Sequence, residues 1–397
     1  MFNNILNFVI NYKYVFLFYL LIIIFLIIKR KKIEIQAKFI VLYRMKFGLK
    51  FIDKCTNKFR EWFILLGYVG VGAGYTGMIF ISYMLIKGLW DLIYTPAAAS
   101  SASIIYPGMK IAGIGTLSFD YFVLVIFFVA LIHEFGHGIL ARAHNIPVKN
   151  TGMVLFGPII GAFVEPDEKK LRKQSDIAQY SVLAAGPFAN ILLAVLALGL
   201  LSLVFMPLQM GMVEPTGFIF DSYVEGDLPF AKAGIMPGTL ITGLDGKETP
   251  MFEEFAADLF CTSPGDKVVV NAEDKDYQVT LAPSPDVEGK SFLGIQEISN
   301  QDQIKEKYTL GIWPSIHAIL NWITGFLKWL FLLSLGIGLF NLLPLPIVDG
   351  GRMLQVSLHK LKGKEKGEKR YRQITIFFLF VLVLNLVYPW IRGLFGI

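Results

Sequence analysis

Charge is what this chain has least of: only 17% of its 397 residues are Asp, Glu, Lys or Arg, where a soluble domain carries about a quarter. That shortfall excludes an ordinary solvated surface over much of the molecule. Cysteine is also scarce. Cys55 and Cys261 are the two present, and neither lies in a Cys-x-x-Cys or Cys/His cluster, which excludes a disulfide scaffold and a thiolate metal site. The net charge of +6 conceals a split. Residues 214–307 hold 18 acidic and 7 basic residues, which leaves 30 basic against 13 acidic elsewhere. Those basic residues flank apolar runs instead of gathering on one soluble face, so nucleic-acid binding is not expected.

What is present is hydrophobic sequence, 54% of the chain, collected into runs long enough to cross a bilayer, which takes about 20 apolar residues. The first, Tyr14 to Ile28, is followed at once by Lys29, Arg30, Lys31 and Lys32. A cleaved signal has its charge on the other side, so this reads as a retained anchor ending inside. Further spans are expected at about Trp62–Trp90, Phe119–Arg142, Ala178–Met206, Ile316–Leu343 and Ile374–Trp390. Residues 29–61 read as a basic cytoplasmic stretch and residues 95–118 as an outer loop. With this topology the basic tracts 29–32, 167–176 and 359–373 all fall on one side, the cytoplasmic one. The acidic region 214–307 falls on the other. Residues 152–164 are apolar but too few to cross, and Gly157, Pro158 and Gly161 disfavour a helix there. A re-entrant loop or strand buried against protein fits.

The acidic region alternates short apolar stretches with turn signals such as Leu244-Asp245-Gly246-Lys247, the pattern of a small β-rich domain. Residues 228–250 resemble a PDZ domain in their Ala-Gly-Ile, Pro-Gly and Asp-Gly-Lys elements, and such domains bind extended peptides by strand addition.

The third span carries "HEFGH", residues 133–137. Positions i and i+4 share a helix face, so His133 and His137 can reach one zinc ion, and Glu134 is placed to take a proton from water. His133 lies 14 residues into the span, about 21 Å along it at 1.5 Å per residue. An acidic side chain at that depth is costly and normally marks a polar, functional interior. Two histidines leave a catalytic zinc site one ligand short. Glu165 is one candidate. Asp349 in "NLLPLPIVDGGR" (341–352) is the better one, because Pro344 and Pro346 break the fifth helix and Gly350 and Gly351 permit unusual turns. Broken backbone at membrane depth is tolerated only where protein or a cavity surrounds it.

With "HEFGH", the distant "NLLPLPIVDGG" and a PDZ-like region between them, the sequence resembles the site-2 protease family of intramembrane metalloproteases over roughly residues 62–391. The resemblance implies that His133, His137 and Asp349 hold one Zn2+ per chain and that Glu134 is the general base. It implies that residues 152–164, with Gly157 and Pro158, hold unwound substrate, and that Asn341, Pro344 and Pro346 grip substrate backbone. Asn190 in "GPFAN" (186–190) falls in a further family motif as a site-lining polar group, an interhelical hydrogen bond being the alternative.

The expected fold is a polytopic α-helical membrane protein of about six spans. It has a re-entrant β segment and a small β-rich, PDZ-like extracytoplasmic domain. Its expected parts are an anchor and basic linker (1–61), a membrane core (62–213), the PDZ-like domain (214–307) and a second membrane segment (308–397). The implied partners are transmembrane protein substrates, the lipid bilayer and an upstream protease that cuts first. The competing functions are a non-catalytic membrane PDZ adaptor and a metal transporter, neither of which explains Glu134 beside His133.

Overall fold

The computed structural model describes residues 13–36, 40–45, 47–95, 100–111, 113–156, 159–224, 226, 228–284, 287 and 289–395. Gly157 and Pro158 lie outside the described residues. The chain forms two compact units. One comprises residues 1–109, 117–198 and 326–397, the other residues 110–116 and 199–325.

In the first unit, α1 (Lys13–Lys29) leads into strands β1 (Ile33–Gln36) and β2 (Ile40–Met45), then helix α2 (Phe47–Tyr94). The basic stretch 29–61 therefore contains a strand pair and the start of a 48-residue helix kinked at Phe59. After the small hairpin β3 (Lys110–Ile111) and β4 (Gly115–Thr116), which belongs to the second unit, α3 runs from Phe119 to Ala143. It stops where Asn145 takes a left-handed conformation (φ 59°) and the Ile146 N–H returns to the Ala141 carbonyl at 2.8 Å. Asn is among the few residues that tolerate this conformation at a helix C-terminus.

That turn feeds β5 (Val148–Phe156) and β6 (Ile159–Pro166), so the apolar segment 152–164 is most of a β-hairpin. The hairpin completes an antiparallel sheet ordered β1-β2-β5-β6, in which Met45 opposes Thr151 and Thr151 opposes Val164. A short helix α4 (Glu168–Leu171) follows, capped by the Asp167 carboxylate on the Lys170 N–H. That bond and nearby Lys149 hold the Asp167 carboxyl below its ordinary range. The long helix α5 (Asp176–Leu200) comes next. Ile52, Leu140, Ile146, Val148, Val164, Leu171 and Val182 form one buried cluster joining α2, α3, α5 and the hairpin.

In the second unit, α5 passes through a π-turn (201–205) into α6 (Met206–Met212) and strand β7 (Val213–Tyr223). There follow α7 (Pro229–Lys232), β8 (Ile241–Leu244), β9 (Lys247–Glu248), α8 (Phe252–Leu259), β10 (Lys267–Ala272) and β11 (Asp276–Thr280). The unit's last strands are β12 (Ala282–Pro283), β13 (Ser291–Phe292) and β14 (Ile295–Ile304). The main sheet is ordered β11-β10-β8-β7-β14 over a core containing Phe218, Phe220, Phe230, Ile241 and Phe255. The Asp-Gly turn at 245–246 has both residues at positive φ, as a tight hairpin requires.

The chain then enters α9 (Trp313–Phe340), α10 (Asp349–Lys362) and α11 (Lys364–Phe395). Gly350 and Gly351 are helical; they are not turn residues. A Cβ on Gly350 would stand 2.2 Å from the Leu342 carbonyl oxygen and one on Gly351 1.7 Å from that of Leu345, so glycine is needed for close approach.

Among the described residues, five helices are long and apolar enough to cross a membrane: 48–94, 119–143, 176–212, 313–340 and 364–392. The sixth expected span corresponds to α1, apolar but shorter. Outward-facing apolar side chains such as Ile79, Val195 and Phe380 on these helices are those of segments bathed in lipid.

Candidate metal centre

Helix α3 places His133 and His137 one turn apart, with their Nε2 atoms 3.2 Å from each other. Asp349, in the first turn of α10 and 9% exposed, brings Oδ2 to 3.1 Å from His133 Nε2 and 3.3 Å from His137 Nε2. Among the described residues this is the group able to hold a metal ion. Zinc with ligands at 2.0–2.1 Å in tetrahedral array sets those ligand atoms about 3.3 Å apart. The three observed separations fit that edge, and two imidazoles with a carboxylate are a donor set zinc accepts.

Helix α5 braces both imidazoles. The Val182 carbonyl lies 2.7 Å from His137 Nδ1. A carbonyl can only accept, so Nδ1 carries the proton and Nε2 presents a lone pair toward the cluster. Asn190, fully buried, sets its amide nitrogen 3.2 Å from His133 Nδ1, while its Oδ1 has no partner. Nitrogen and oxygen of such an amide are assigned from the bonding network. For His133 to offer Nε2 to a metal, Nδ1 must donate, and turning the Asn190 amide supplies the acceptor. The Ser334 hydroxyl donates to the Asn190 carbonyl at 2.8 Å and ties α5 to α9.

Between these two braces lies Gly186. A Cβ there would be 2.4 Å from His137 Nε2 and 2.6 Å from His133 Nε2. Residues 182, 186 and 190 thus form one stripe on α5, spaced four apart, facing the cluster. Sequence reasoning singled out Asn190 but missed Gly186 and Val182. Val182 acts through its backbone carbonyl and Gly186 through the lack of a side chain, so residue identity carried no signal for either.

Glu134 and the cluster line a cavity of about 270 Å³ with Asn341, Val348 and Arg352. The Val164 N–H, pointing away from β5, donates to Glu134 Oε2 at 2.8 Å, so the carboxylate is moored to the outer edge of β6. Glu165 lies apart from the cluster and accepts from Asn150 Nδ2 at 2.9 Å, with Arg44 4.0 Å away. Asn341 faces the cavity, and its carbonyl accepts from the Gly350 N–H at 2.8 Å. Pro344 is buried and Pro346 exposed in the break. Neither lines that cavity.

Residues 121–386 match the family model described as Peptidase family M50. An uncharacterized protein of Methanocaldococcus jannaschii is 22% identical over 276 residues, covering 65% of this chain and 66% of that protein. The zinc metalloprotease RasP of Oceanobacillus iheyensis is 22% identical over 275 residues, 57% of this chain and 62% of that one. The chain thus spans a little under two thirds of the length of these relatives. Among solved structures, the PDZ domain of an SdrC-like protein from Listeria monocytogenes is 28% identical, covering 20% of this chain and 86% of that one at a TM-score of 0.18.

Proposed function

This chain belongs to peptidase family M50, and on that premise we propose that it is an intramembrane zinc metalloprotease hydrolysing peptide bonds in or near the transmembrane helices of membrane-anchored proteins. The observation that carries the proposal is the convergence, within a membrane-length helix, of His133 and His137 on Asp349 at 3.1–3.3 Å. His133, His137 and Asp349 would hold one zinc ion. When bound, zinc supplies positive charge that acidifies water and polarises a peptide carbonyl.

The remaining steps belong to the chain's own groups. Glu134, one residue from a ligand and facing the same cavity, accepts the proton of the attacking water and delivers it to the leaving amine. Its bond to the Val164 N–H fixes where that carboxylate stands. The hairpin β5–β6 receives unwound substrate and satisfies backbone groups that lipid cannot, and Gly157 and Pro158 are proposed among the substrate-binding residues. Asn341, which lines the cavity, meets substrate from the break between α9 and α10, and Pro344 and Pro346 shape that break. The basic tracts lie in the cytoplasm and the acidic β-rich unit, PDZ-like in sequence, lies outside, where it captures extended peptide segments. Substrates that first lose an outer portion to another protease suit that arrangement.

Two substitutions test the ligand set. Asp349→Ala is expected to drop zinc content, measured by atomic absorption, from near one per chain toward zero, whereas Glu165→Ala keeps it. Loss in the Glu165 variant alone would reassign the third ligand.

Asn190 is proposed as the positioning residue of His133. Asn190→Leu should weaken zinc binding by about 10- to 100-fold, the usual scale for a lost ligand-orienting partner. Asn190→Asp, which can only accept, should retain it. Equal zinc affinity in the Leu and Asp variants, by competition with a chromogenic chelator, would leave Asn190 a packing residue.

A further inference from the structure

A second cavity of about 470 Å³ adjoins the first. The two share the lining residues Glu168, Leu171, Leu183 and Arg352. Unlike the metal centre it is rich in cations: Arg172, Arg352, Lys360 and Lys364 face it with only Glu168 and Asp176 in opposition. Lys360 is matched by Asp176 at 3.0 Å, a bond that raises its pKa above the ordinary lysine value. Glu168 must serve two guanidinium groups, Arg352 at 2.6 Å and Arg172 at 3.9 Å. No hydrogen-bonding or ionic partner of Lys364 is found among the described residues. The vestibule therefore carries about two uncompensated positive charges, and its one carboxylate on the shared wall is the partner of Arg352.

Arg352 stands three residues beyond Asp349 on α10, one helical turn from the centre of chemistry. Arginine binds carboxylates through two parallel N–H donors, so a second carboxylate can replace Glu168 without loss of geometry. We infer that this vestibule is a subsite for an acidic side chain of the substrate, which displaces Glu168 from Arg352. The acidic residue would lie within about four residues of the scissile bond, at about 3.3 Å per extended residue.

The inference rests on the protease reading and deepens it. It also runs against what charge topology supplies by default, because cytoplasmic flanks of membrane proteins are usually basic. Such flanks would meet repulsion here, so the vestibule discriminates among substrates. An anionic lipid headgroup is the rival occupant. The wall shared with the metal centre favours peptide, since a bound substrate must leave that cavity through some adjoining space.

The test uses the purified, zinc-loaded full chain in neutral detergent and three single-pass reporter peptides. These differ only in carrying Glu, Gln or Lys at the positions flanking the scissile bond. Wild type should cut the Glu peptide with kcat/KM about tenfold above the Lys peptide, the scale of one charge-assisted contact. In Arg352→Gln that ratio should collapse toward one, whatever the absolute rate. Lys364→Glu, at the far rim, should also lower it. Equal cutting of all three peptides by wild type overturns the inference and leaves the protease standing, as does a Glu preference undiminished in both variants. A preference abolished by adding phosphatidylglycerol would make lipid the occupant and overturn it too. If zinc-loaded wild type cuts none of the peptides, the protease reading itself falls and this one with it.

Discussion

Glu134→Gln should lower peptide hydrolysis by about 10²- to 10⁴-fold, the range a positioned general base contributes, with zinc content unchanged. The substitution removes little else. Gln has the same length, and its amide oxygen can still accept the Val164 N–H that now bonds Glu134 at 2.8 Å. None of His133, His137 or Asp349 loses a contact the structure gives it. What disappears is a basic oxygen able to take a proton from water. Cleavage of a detergent-solubilised reporter, read beside zinc content, decides the matter. Wild-type cleavage by zinc-loaded Glu134→Gln would remove Glu134 from its assigned role.

Gly186→Ala should cost the metal. In a helix interior Gly→Ala ordinarily stabilises by about 0.5–1 kcal/mol, so the expected sign is reversed by the surroundings. The added methyl would meet both ligand nitrogens at 2.4 and 2.6 Å, and overpacking of that kind costs about 1–3 kcal/mol. Here the strain falls on the ligand atoms themselves. Zinc affinity should therefore drop by about 10- to 100-fold, with cleavage falling alongside. Gly199→Ala, near the end of the same helix where an added Cβ meets nothing within 4 Å, is the control and should keep its zinc. Full zinc retention by Gly186→Ala in a chelator competition would mean that α5 yields easily, contrary to this account.

Much of this centre is legible in sequence because its chemistry is expensive in a membrane. A Glu between two histidines deep in an apolar run, and an Asp in a proline-broken segment, stand out against their surroundings. The sequence distance of 216 residues between His133 and Asp349 did not hide them, since each was conspicuous alone. The segment 152–164 was legible for a similar reason, being too short to cross and too rich in glycine and proline for a helix. Other features were silent. Strands β1 and β2 are four and six residues long, and β2 pairs with β5 more than a hundred residues away. Nothing local distinguishes them from a basic linker. Gly186 sits among small residues whose bland use is close helix packing, and only the imidazoles lying over it reveal its purpose. The Val164 N–H and the Val182 carbonyl are backbone groups and leave no trace in residue identity.

With the proposed ligand set, the stripe 182–186–190 makes occupancy by the ion a mechanical property of one joint. A single helical face fixes the proton of one imidazole, leaves clearance for both and steadies the other. Sliding α5 along α3 by a fraction of a turn would disturb all three functions together. Heat or harsh detergent should therefore release the metal in one cooperative event, coincident with separation of those two helices, and bound zinc becomes a gauge of whether that joint is intact.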